Sequence, residues 1–302
     1  MRYLYSFLII GLVYSSVVGI GIFVGTDMIH LMYETGEIAP MFEEPESLTS
    51  SAQMFIYVVL ITALLLFLIK YKLDIVIKLM LVMAMLVGMV ITFRTFFGIY
   101  FELIPAILIA LIPAVCLLIL NLWRKSILIR NLVLVFAISG VGAILGASLG
   151  IIPALCILII FSAYDIIAVF GTKHMITLAD ALQPKPKQST PKGTEHATTQ
   201  SAEDSEGGIP FMFTLPFGDH DIELGTGDFA IPCMFAVSVL RDARLMEYPS
   251  PELHAIVTAI GGLVGVMALF IYIMKKEHVA LPALPPISAG LILGLGLSLL
   301  IL

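Results

Sequence analysis

Apolar runs about as long as a bilayer is thick recur along this chain, and they limit its fold more than any other feature. Roughly 20 helical residues at 1.5 Å each match the ~30 Å hydrocarbon core of a membrane. A backbone in lipid must also satisfy its own hydrogen bonds, which favours helices. Nine such runs read near 3–25, 52–70, 73–93, 98–122, 127–149, 151–170, 228–246, 253–274 and 283–302. Little more than Gly150 and Pro153 separates the fifth from the sixth. The chain is 60% hydrophobic, against roughly 45–50% in soluble domains, and its mean hydropathy is +1.06. The first run is too long for a signal peptide and lacks a cleavage-type A-x-A sequence. The expectation is an all-α polytopic membrane protein with nine transmembrane helices.

Net charge is −6, but its arrangement says more than its sum. With nine crossings, thirteen of the sixteen Lys and Arg residues fall on one side. Only Arg94, Arg241 and Arg244 fall on the other. The positive-inside rule then predicts a cytoplasmic N-terminus and an external C-terminus. The 26–51 loop, acidic through Glu34, Glu37, Glu43, Glu44 and Glu46, would face outward. Cys116, Cys156 and Cys233 all lie within spans, where single cysteines behave as small apolar residues. The six His residues show no metal-ligand spacing, so no metal site is expected.

A polar stretch at 171–226 divides the chain into a six-helix part, 1–170, and a three-helix part, 227–302. Its middle, from Gln183 to Gly208, is rich in Pro, Ser, Thr, Gly and charge, a composition that predicts disorder. Segments 211–217 and 222–225 flank the turn residues Gly218-Asp219-His220-Asp221. Two readings stand there: a β-hairpin, or an apolar linker lying on the membrane, since Pro216 interrupts the first segment.

Two carboxylates border this loop: Asp165 in the sixth span and Asp228 at the start of the seventh. An ionisable group at membrane depth costs several kcal/mol or so unless it faces a polar cavity or a partner. Asp165 lies about five residues, ~8 Å, from the end of its helix. Gly225 and Gly227 permit close backbone approach beside Asp228. Pro232 removes the helical partner of the Asp228 carbonyl. Each acid alone has an ordinary reading, Asp165 as a hydrogen-bonded buried acid and Asp228 as a helix N-cap. Together they suit water activation, one carboxylate taking a proton while its protonated partner donates one. Leu281-Pro282-Ala283-Leu284-Pro285-Pro286 precedes the last span, and its prolines predict exposed, non-helical backbone or a simple helix start. Gly290, Gly294 and Gly296 have the small-x-x-x-small spacing of helix packing. Glu102 and His254 are expected at the interface, and Met80, Met83, Met85 and Met89 in packing or lipid contact.

Tyr164-Asp165, Gly225-Thr226-Gly227-Asp228 and Pro282-Ala283-Leu284 resemble, in order and on the matching spans, the YD, GxGD and PAL motifs of presenilins and signal peptide peptidases. Phe170-Gly171-Thr172 and Ile231-Pro232 look like signal peptide peptidase, while Leu281 to Pro285 looks like presenilin. Thr226 stands where Leu is common. The resemblance implies an intramembrane-cleaving aspartic endopeptidase with Asp165 and Asp228 catalytic. Pro282, Ala283, Leu284, Tyr164, Gly225 and Gly227 would then contact substrate. It implies transmembrane-helix substrates, no cofactor and no nucleic acid. Compact length and short loops resemble archaeal members, which implies no accessory subunits and, in a prokaryote, the cell membrane. From the residues alone, an ion or proton pathway and a non-catalytic helix-binding protein stay open.

Overall fold

The computed structural model describes residues 2–42, 44–71, 73–124, 126–171, 212–217, 220–275 and 282–301. Nine α-helices lie among them: α1 (Arg2–Ile29), α2 (Leu48–Lys70), α3 (Asp74–Gly98), α4 (Leu103–Arg124), α5 (Ile127–Ala147), α6 (Ile151–Gly171), α7 (Gly227–Leu245), α8 (Pro251–Lys275) and α9 (Leu284–Ile301). A π turn at His30–Glu34 prolongs α1, so Asp27 and Glu34 belong to the helical rod and not to a loop starting at 26. Among the described residues six helices, α1, α3, α4, α5, α8 and α9, are long and apolar enough to cross a membrane. This is a multi-pass membrane architecture. The stretch predicted to be disordered, 183–208, lies outside the described residues, as does Leu281.

The all-α expectation needs one correction. β1 (Met212–Phe217) and β2 (His220–Gly225) form an antiparallel hairpin, with Met212 opposite Gly225 and Phe217 opposite His220. Phe213 and Leu215 share one face and are fully buried in the core, and Thr214 between them is buried on the other face. Pro216 sits near the turn, where a missing N–H costs little.

Contacts between helices fix their directions. Near the hairpin, the start of α5 touches β1 through Asn131 and Thr214, and the start of α9 meets α6 at Leu284 and Asp165. At the opposite, far end, Tyr33 reaches Ala147, Ser51 reaches Pro153, and Ser238 reaches Leu149. Successive helices therefore run in alternating directions. The N-terminus lies at the hairpin end and the C-terminus at the far end.

α7 is the centre of the bundle, packed by α1, α5, α6, α8 and α9. Every residue from Pro232 to Ala243 is buried. Such closeness requires small neighbours. A Cβ on Gly21 would fall 2.1 Å from Cys233 Sγ, and one on Gly146 would fall 2.4 Å from the Met234 carbonyl oxygen. The far-end charges of α7 are matched within the protein. Arg241 bonds Asp242, Glu46 at 2.6 Å and the Tyr33 hydroxyl at 3.0 Å. Asp242 accepts the Ile151 N–H at 2.7 Å, and Arg244 pairs with Glu34 at 3.0 Å. Glu34 and Glu46 thus act as counter-ions to α7, not as part of a free acidic surface. His254, expected at the interface, is instead buried and packs its ring 5.5 Å from that of Tyr248. Of the methionines in α3, Met85 and Met89 are buried and Met83 is exposed.

Backbones of α8 and α9 approach closely, and the glycine set divides. A Cβ on Gly290 would meet the Gly261 carbonyl oxygen at 2.2 Å, and one on Gly294 would meet the Thr258 carbonyl oxygen at 2.9 Å. Gly296 has open space. Overpacking a tight contact costs roughly 1–3 kcal/mol. Gly290→Ala should therefore lower the unfolding midpoint in detergent, measured by thermal scanning, while Gly296→Ala leaves it unchanged. Equal midpoints would contradict the packing described.

Candidate active site

Asp228 lies in the first turn of α7, two residues past Thr226, which occupies the N-cap position without a side-chain capping bond. The N-cap reading of Asp228 is thus replaced: its carboxylate is free of that duty. It takes a hydrogen bond from the Gly225 main chain instead. A Cβ at Gly225 would stand 3.4 Å from Asp228 Oδ2, an ordinary contact. Gly227 is exposed, with nothing near its missing Cβ.

Asp165 projects from α6, which packs against both α7 and α9. Its Oδ2 accepts the Leu284 N–H at 3.0 Å. The two carboxylates lie near enough to interact electrostatically, and both are half-buried. Each is held by a different main-chain donor, one from the hairpin and one from the mouth of α9.

The proline-rich segment behaves differently from the fully non-helical expectation. Pro282 and Ala283 are irregular, but α9 begins at Leu284 and takes Pro285 and Pro286 into its first turn. Proline is tolerated there because first-turn N–H groups lack helical partners anyway. Leu284 and Pro282 are buried. Tyr164 is 64% exposed on α6.

Sequence reasoning passed over the residues that hold the hairpin in place. Asn131 Nδ2 donates to the Thr214 carbonyl at 2.8 Å, and the Thr214 N–H donates to Asn131 Oδ1 at 3.2 Å. One amide side chain thereby imitates a neighbouring strand. Arg130 also bonds the Thr214 hydroxyl. Phe213 packs its ring 4.6 Å from that of Phe229, the residue after Asp228. The available signal was Asn131 itself, an amide at the start of an apolar span. Among the described residues no three His, Cys, Asp or Glu side chains gather as metal ligands.

The profile described as "Signal-peptide peptidase, presenilin aspartyl protease" matches residues 20–302. The chain belongs to this family. Among solved structures, a "presenilin family intramembrane aspartate protease" in a C222 crystal form is similar, with a TM-score of 0.70 and 21% identity over 98% of this chain and 99% of that one. The same description in a P2 form gives a TM-score of 0.61 and 22% identity, over 95% and 97% of the two chains. At such identity the likeness concerns the fold. No curated protein matches the chain.

Within this presenilin-type fold, Asn131→Ala should release the hairpin without unfolding the bundle. It leaves two Thr214 backbone groups without their partner, a loss of about 1–3 kcal/mol if they stay buried. Limited proteolysis should then cut at 212–225 faster, with helical circular dichroism unchanged. Wild-type resistance in this variant would show that other contacts dock the hairpin.

Proposed function

We propose that the chain is an intramembrane aspartic endopeptidase in which Asp165 and Asp228 hydrolyse a peptide bond within a transmembrane segment. The observation that carries this reading is the meeting of two half-buried acids on adjacent helices, in a chain of this family and within the segments that resemble its YD and GxGD motifs. One ionised carboxylate removes a proton from water as its oxygen attacks the scissile carbonyl. The protonated partner gives its proton to the carbonyl oxygen, yielding a tetrahedral diol. Proton transfer to the amide nitrogen then lets the C–N bond break. Neither a metal nor an organic cofactor takes part.

An extended substrate needs backbone partners near the acids. The outer edge of β1 is engaged at Thr214 by Asn131, so Thr214 turns its N–H and C=O away from β2. Glu223 lies opposite Thr214, and by strand alternation its own groups face the outer edge of β2. Gly225, two residues on, faces the same way, towards Asp228. A peptide adding to the β2 edge would therefore run beside Asp228. On the other flank, the Leu284 N–H that holds Asp165 would exchange to substrate, with Pro282 and Ala283 beside it. Gly227 leaves room for the approach, and Tyr164 meets the substrate helix from lipid. All nine helices span the membrane with the hairpin end cytoplasmic, and the chain works without accessory subunits.

Purified protein and a single-span model substrate test the reading by gel and mass spectrometry. Asp165→Asn keeps an oxygen for the Leu284 N–H yet abolishes acid chemistry. That variant and Asp228→Asn should each reduce cleavage to background while retaining the wild-type melting midpoint. Cleavage at wild-type rates by either one would refute a two-aspartate mechanism. Because the pair must hold one proton, activity should also fall on both sides of a pH maximum.

A further inference from the structure

Far from the two acids, α1 and α8 enclose a crevice whose polarity changes along its length. Its wide part, about 610 Å³, opens at the far end and is bordered by Asp27, His30, Arg244 and Glu252. A narrower part of about 160 Å³ extends inward past Tyr14, Val18 and Leu263. The two share Gly19, Ile22 and Ile256, so they form one continuous groove. From His30 to Tyr14 is sixteen residues of helix, ~24 Å at 1.5 Å per residue. That length is close to one leaflet with its head-group layer, half of the ~40–45 Å bilayer. Phe23, Ile256 and Ile260 on its rim are exposed, so the groove opens sideways into lipid.

We propose that this groove is a binding site for a phospholipid carrying a primary amine in its head group, of the ethanolamine type. Its inner walls are apolar and suit an acyl chain. The charged end carries both signs, as such a head group needs. Arg244 and His30 offer donors to a phosphate, and both already sit on Glu34. Glu252 has no ion-pair partner among the described residues and is free to take an ammonium. Asp27 lies across the groove, held by Arg94 and by the Thr95 hydroxyl at 2.8 Å. Three N–H donors distinguish an ethanolamine head from choline, which has none to offer a carboxylate. A glycerol head group lacks the positive charge altogether.

Gly19 provides a direct test, since it lines both parts of the groove and a Cβ there meets nothing within 4 Å, so a larger side chain would start into the groove. The full chain, purified in detergent, would be incubated with an equimolar mixture of dioleoyl phosphatidylethanolamine, phosphatidylcholine and phosphatidylglycerol. Retained lipid would be read by native mass spectrometry. Wild type should keep one phosphatidylethanolamine per chain, at least fivefold over either competitor. Gly19→Phe, with its melting midpoint confirmed, should lose that lipid at least fivefold. Glu252→Gln should retain lipid but lose the preference for the amine. Equal retention of the three lipids by wild type, or undiminished phosphatidylethanolamine on Gly19→Phe, would overturn the assignment.

Discussion

The burial of α7 is the constraint from which the rest of the bundle follows. This helix carries Asp228 near one end and Arg241, Asp242 and Arg244 near the other. A helix so charged cannot face hydrocarbon without a penalty of several kcal/mol or so per ion. It is therefore enclosed by five others, and enclosure at this distance is possible only where Gly21, Gly142 and Gly146 remove side chains from the contact. Pairing solves the remaining problem at the far end. Arg241 is 2% exposed and would be a costly isolated charge, but Asp242, Glu46 and Tyr33 share it. Removing one member of such a group leaves the other buried and unpaired, which is far worse than never having had the pair.

Enclosure also explains how two acids distant in sequence come together. Asp165 and Asp228 are separated by the long loop, and neither is positioned by its own helix alone. The hairpin bonds Asn131 of α5 and rests Phe213 on Phe229, which fixes the entry to α7. Leu284 at the mouth of α9 fixes Asp165. α9 in turn is held against α8 by the glycine contact at Gly261 and Gly290. A disturbance at that contact, well away from the acids, would therefore reach Asp165 through a rigid helix and one hydrogen bond. In the proposed reaction the same bond is exchangeable: an incoming peptide carbonyl competes with Asp165 for the Leu284 N–H, and winning that competition frees the carboxylate for chemistry.

Much of this was legible in the sequence because membrane constraints are written in composition. Helix number, alternation and the two acids follow from apolar length and from the rarity of charge within it. Short-range chemistry marked 218–221 as turn residues, though His220 and Asp221 belong to β2, and composition alone could not choose between hairpin and linker. The choice depended on Asn131, a residue eighty-three positions from Thr214, acting as a surrogate strand. The prolines after Leu281 were also ambiguous, since first-turn proline and helix-breaking proline look the same without knowing where the helix begins. His254 misled because a polar residue near a helix end is usually wet, whereas here the Tyr248 ring and neighbouring helices cover it. Long-range pairing is what one chain read in order does not display.

The same pairs bear on the far-side cations without altering the count that sets the charge topology. Counting cations by loop assigns Arg94, Arg241 and Arg244 to the far side as if each were a free positive charge. In the folded protein each already has an acid: Asp27 for Arg94, Glu46 and Asp242 for Arg241, and Glu34 for Arg244. These three charges are thus paired once the bundle has folded. The hairpin end, by contrast, carries Arg124 and Arg130 near its helix ends and most of the remaining lysines in its loops. The rule counts Lys and Arg and not net charge, so the count of thirteen to three stands as it is and favours the proposed cytoplasmic hairpin end. In the proposed orientation the acids, the strand edge of β2 and the mouth of α9 would open toward the cytoplasmic leaflet, while the proposed amphiphile groove would open toward the other.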